Sequence, residues 1–197
     1  MVISRVDHSV GTSSKSEALK NFFRHNTMKI AVAIAGLLFF SLLFDISIKT
    51  TFIVLALIFA ASFSTFYFNY VAVPINFELV KLSTILTTVS YGFLPGLAVG
   101  IASTFFGKVI IGRVDEKLPL SMLMISAIAV AAAIFSTANV TTLGITLVLA
   151  YNATMFALTK LMGGDLAWNI PYEGTNFVFN TILLVKVAPF LLQLMHH

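Results

Sequence analysis

The chain has 197 residues, of which 58% are hydrophobic and 10% charged, with a formal net charge of +4 and no cysteine. Its mean hydropathy is +0.97. Soluble domains carry about 25% charged residues, so a water-facing fold of this length lacks the charge to cover itself, and an all-α integral membrane protein is implied. Long continuous apolar runs favour helices over a barrel, whose strands would alternate. The missing Cys removes disulfides, thiolate metal sites and Cys nucleophiles. His8 and His25 lie in a polar stretch and His196 and His197 end the chain, so no His-held metal or cofactor is expected at membrane depth. Basic residues flanking an apolar run suit anionic lipid better than nucleic acid, which is not expected as a partner.

Residues 1–28 form a polar segment with Arg5, Lys15, Lys20 and Arg24. It is too long and lacks the small-residue site of a cleavable signal peptide. Ser14-x-x-Glu17 reads as a capping box. Leu19, Phe22 and Phe23 then oppose Lys20 and Arg24, which suits an interfacial helix leading into a single transmembrane domain over 29–197. The apolar runs are 30–48, 51–68, 77–91, 95–112, 119–136, 140–161 and 175–194, which gives seven spans, or six if 77–112 is one bent element. A span needs about 20 residues, and 77–112 is nearly twice that. Tyr91-Gly92-Phe93-Leu94-Pro95-Gly96 is the place for it to turn. The stretch 113–118 reads as a solvated turn and 163–174 as the longest polar loop.

Small residues recur four apart at Ala31 and Ala35, Ala56 and Ala60, Ala129 and Ala133, and Gly92, Gly96 and Gly100. Such spacing lets helices approach closely, within this chain or against a partner subunit. Charges at depth are costly and mark function or pairing. Lys186 falls about eleven residues into the last run, near mid-membrane. Glu78 and Lys81, three apart, suit a local ion pair. Trp168, Asn169, Tyr172, Glu173, Asn176 and Asn180 crowd into thirteen residues. An aromatic wall with amide donors and acceptors suits a small polar ligand, with the interfacial aromatic belt as the plainer account. Asn76 is a further candidate from the earlier loop. No HExxH, GxSxG, GxxxxGK[ST] or CxxC occurs, and no acid–base pair can be named, so neither an enzyme nor a cofactor is expected.

The stretch 56–103, ALIFAASFSTFYFNYVAVPINFELVKLSTILTTVSYGFLPGLAVGIAS, runs as an Ala-xxx-Ala helix, an aromatic loop with Pro74, a short helix, a Gly-Pro turn and a Gly-rich helix. In that order, in size, and in the Asn-bearing last helix, the chain resembles the substrate-binding S component of energy-coupling factor transporters. The resemblance implies a six-helix bundle in the cell membrane. It implies Ala56 and Ala60 docking a coupling subunit, and loops around 69–76 and 163–174 capping a small, vitamin-like substrate. The first run, 30–48, is then an extra span and puts the basic N-terminus outside, against the positive-inside rule. The expected function is therefore substrate capture for uptake with partner coupling and ATPase subunits. The alternative is a structural or scaffolding subunit of a larger membrane complex.

Overall fold

The structure, a computed structural model, describes residues 35–36, 39, 41–42, 46–71, 73–112, 114–115 and 117–196. Two compact units are distinguished, Met1–Ile48 and Lys49–His197. The polar segment 1–28 and most of the apolar run 30–48 lie outside the described residues. From the unit boundary onward the elements are α1 (Ile48–Phe63), a 3-10 turn (Phe66–Asn69), α2 (Val80–Tyr91), α3 (Phe93–Ile110), α4 (Lys117–Ile134), α5 (Val140–Leu161), α6 (Leu166–Lys186) and α7 (Ala188–His196). Every regular element among the described residues is helical.

Helix α2 is the hub, packing on α3, α4, α5, α6 and α7. It is buried continuously from Val80 to Thr88. Its 12 residues rise only about 18 Å, well short of a bilayer core. The expected span 77–91 is thus a half-length helix sheltered by its neighbours. Its polar side chains face protein, and two of its hydroxyls are satisfied within the helix. Thr84 Oγ1 donates to the Val80 carbonyl at 2.7 Å and Thr88 Oγ1 to the Thr84 carbonyl at 2.7 Å.

The turn expected at 91–96 is present and sharp. Gly92, at φ +94°, is at once the C-cap of α2 and the N-cap of α3. That backbone region suits glycine and strains other residues. The two helices fold back antiparallel. A Cβ on Gly96 would collide with Thr88, and one on Gly100 would come within 2.9 Å of Thr84 Oγ1. The glycine series therefore serves close packing inside this hairpin. Gly144 of α5 plays the same part against Leu184 of α6. Ala129 is fully buried, whereas Ala56 and Ala60 are exposed on α1.

Four of the described helices are long and apolar enough to cross a membrane, or five if the broken pair α6–α7 counts as one span. Among the described residues six or seven spans are not seen, and the first expected one, 30–48, lies mostly outside those residues. Outward faces carry large apolar side chains such as Phe52, Phe59, Leu123, Ile134 and Leu161, each more than half exposed. Bare apolar surface of that extent is a liability in water and ordinary in lipid.

Two further expectations are corrected. The loop 163–174 is mostly helix: only a short turn precedes Asp165, whose carboxylate caps α6 by accepting from the Ala167 N–H at 2.9 Å. Pro171 sits inside this helix, tolerable where neighbouring groups can satisfy the freed carbonyl. The last run is not one straight helix but bends by 53° between Lys186 and Ala188. Lys186 is consequently the exposed last residue of α6, not a charge in the middle of a continuous span.

Candidate functional site

The chemistry-bearing side chains gather at one end of the bundle. There the start of α2 meets the end of α3, the start of α4, the end of α5 and the start of α6. Between them lies a cavity of about 240 Å³, just under the roughly 300–1,000 Å³ of drug-sized ligand sites. Each helix contributes a stripe at helical spacing: Thr104, Lys108 and Ile111 from α3 and the residue after it; Tyr151, Met155 and Thr159 from α5; Trp168, Asn169, Tyr172 and Glu173 from α6. Phe68, Asn76, Glu78, Lys81, Ser103, Asp115, Lys117 and Ser121 also line it.

Residues 73–79, which reach this site, are not in regular helix, and side chains satisfy several of their backbone groups, as buried backbone groups require. Tyr67 Oη donates to the Ile75 carbonyl at 2.8 Å and accepts from the Phe77 N–H at 2.9 Å. Ser64 Oγ accepts from Leu79 N at 3.0 Å, and Thr175 Oγ1 from Asn76 N at 3.0 Å. The amides of α6 complete the clamp. Asn180 Nδ2 donates to the Glu78 carbonyl at 3.1 Å and to the Asn176 carbonyl at 3.0 Å, and Asn176 Nδ2 approaches the Asn76 carbonyl at 3.5 Å. Both asparagines are fully buried and neither lines the cavity. They fix the segment that carries Asn76 and Glu78.

The electrostatics centre on Lys81, whose side chain is 1% exposed. Its ammonium lies 3.3 Å from Glu78 Oε2 and 4.3 Å from the centre of the Tyr151 ring. Ion pair and aromatic face together replace the water that this cation has lost. Asn76 Nδ2 donates to the same Glu78 oxygen at 3.3 Å. Glu173 is within electrostatic reach of both Lys81 and Glu78. With the Asn152 amide turned to satisfy its surroundings, its nitrogen donates to Glu173 Oε2 at 3.2 Å and to Asn176 Oδ1 at 3.2 Å. Farther out, Lys108 and Asp115 pair at 3.6 Å, with side chains 27% and 44% exposed. Phe68 stacks on Tyr172, ring centres 6.0 Å apart.

Three lining residues carry buried polar atoms that no described residue satisfies: Asn76 Oδ1, Ser103 Oγ and Asn169 Nδ2. Orphaned buried polar atoms are rare in folded proteins, and three around one cavity are what a polar ligand would satisfy.

The structure therefore brings together Trp168, Asn169, Tyr172, Glu173, Asn76, Glu78 and Lys81, and sets Asn176 and Asn180 behind them. Lys186, Ala56 and Ala60 are not among the lining residues. Sequence reasoning passed over Tyr151, Ser103, Lys108 and Asp115. The signal for the first two was present: polar residues in the interior of long apolar helices are functional candidates by default. No group of His, Asp or Glu capable of holding a metal ion occurs among the described residues. Comparison of the chain with protein-family models, with characterised proteins and with solved structures returns no match.

Proposed function

We propose that this protein is a multi-pass subunit of the cell membrane that captures a small polar molecule for uptake, acting with partner coupling and ATPase subunits. One observation carries the reading. A metabolite-sized cavity at one end of an apolar bundle is lined by a buried Lys81–Glu78 pair and by three unsatisfied polar atoms. A scaffolding subunit has no need of such a chamber, and a filled core at this end would have favoured that alternative. The chain carries no nucleotide-binding motif, so energy for uptake comes from partners. The likeness of 56–103 to energy-coupling factor S components points the same way.

The test is retention of a ligand. The protein in lipid nanodiscs is incubated with a metabolite extract, dialysed and weighed by native mass spectrometry. The wild-type protein is expected to keep a small-molecule adduct. A Trp168→Ala/Tyr172→Ala variant with an unchanged circular-dichroism spectrum is expected to lose it. Absence of any adduct on the wild-type protein, or equal retention by the variant, would refute the reading.

A further inference from the structure

The inner part of the cavity holds one cation and two carboxylates. Lys81 pairs with Glu78, and the described residues include only one other ion pair, Lys108 with Asp115. Glu173 is left with a neutral donor, Asn152, on its carboxylate, although it lines the same chamber. Lys81 is already committed, 3.3 Å from Glu78 and seated over the Tyr151 ring. Beside Glu173 stands an aromatic wall. Tyr172 is its chain neighbour and stacks on Phe68, and both tyrosines of the cavity, Tyr151 and Tyr172, lie within the field of Glu78 and Glu173. Two carboxylates that share one buried ammonium leave a net negative charge in the chamber, and beside an aromatic ring that is an arrangement that receives an organic cation. The charge is met by Glu173 and the alkyl or ammonium surface by the Tyr172 ring, the face of Tyr151 being taken by Lys81. Asn76 Oδ1 is 2% exposed by residue, lines the chamber and has no donor among the described residues, so it supplies an acceptor for an N–H of the same group. The cationic charges farther out, Lys108 and Lys117, lie on the segment that also carries Asp115 and do not reach this inner set as ion pairs.

We propose that the molecule captured here is a small organic cation, a protonated amine or quaternary ammonium, whose positive group sits in the inner chamber beside Glu173 and the Tyr172 ring. This rests on the reading of the cavity as a ligand site and names the class of ligand it takes.

The experiment measures binding to the full chain in nanodiscs by native mass spectrometry and thermal shift. It uses probes of one shape and different charge: phenethylamine, phenethyl alcohol and phenylpropionate, with choline as a second cation. The cations are expected to bind at least tenfold more tightly than the neutral and anionic probes. Glu173→Gln, which keeps the shape and the Asn152 hydrogen bond, is expected to abolish that preference while leaving the melting temperature of the empty protein within a few degrees. Preference for the neutral or anionic probe, or a cation preference untouched by Glu173→Gln, overturns the proposal and leaves the cavity reading standing. Should none of the probes bind, the charge of whatever adduct the metabolite extract yields decides: a cation supports the proposal, and a neutral or anionic molecule overturns it. No adduct of any kind sinks both readings together.

Discussion

At the scale of single residues, the site rests on a charge that is expensive to bury. Lys81 is tolerable because Glu78 and the Tyr151 ring stand in for water. Removing one partner of such a pair is costlier than removing both, because it strands the other charge. Lys81→Met is therefore expected to cost on the order of 3 kcal/mol, whereas adding Glu78→Gln to it should restore most of the loss. Thermal melts in detergent check this; equal melting of the single and double variants would mean that the pair is not what makes Lys81 tolerable. Asn180 acts differently. Its nitrogen holds the Glu78 carbonyl from behind the cavity wall, so its influence on a ligand passes through the position of Glu78. Lys186, exposed at the end of α6, has no part in this electrostatic set.

At the scale of elements, the α2–α3 hairpin sets the geometry. Its two helices are too close for a side chain at Gly96, where an added Cβ would meet not only the Thr88 hydroxyl but also its Cα, at 2.8 Å. A hydroxyl can rotate away, and a backbone atom cannot unless the helices separate. Gly96→Ala is accordingly expected to destabilise by about 1–3 kcal/mol, and adding Thr88→Ala should recover only part of it. Chemical denaturation in mixed micelles would show this. Full rescue by Thr88→Ala would mean that the hydroxyl alone was in the way. Because Lys81 and Ser103 ride on opposite arms of this hairpin, prising it apart should also weaken ligand retention.

At the scale of the whole molecule, the length of α5 decides how the bundle sits in lipid. Its 22 residues rise about 33 Å, enough to cross a bilayer core. The turns at its two ends should then lie on opposite sides. The native chain has no cysteine, so single probes are clean. Ala138→Cys and Met162→Cys, both at exposed positions, are expected to react with a membrane-impermeant maleimide from opposite faces of sealed vesicles. Labelling of both from the same face would rule out α5 as a span. The cavity lies at the Met162 end of this helix, since Met155 and Thr159 line it, so the same experiment reports which compartment the site faces.

The sequence by itself determined the class of this protein and the punctuation of its chain. Too few charges to cover a soluble surface, apolar runs of helical length, and glycine and proline at 92–96 are properties that lipid and backbone sterics read without help from distant residues. Pairing at Glu78 and Lys81 was equally legible, because three residues is a local distance. Tertiary structure decided the rest. It made 80–91 a buried half-helix, because five neighbouring helices shelter its hydroxyls. It made most of 163–174 helical, because Asp165 caps a helix that packs on α5. It put Asn176 and Asn180 behind the cavity wall and Tyr151, Ser103 and Lys108 in it, because which helix faces meet depends on contacts as much as 102 residues apart in the chain. Periodicity reports a helix's face. Only packing says what that face looks upon.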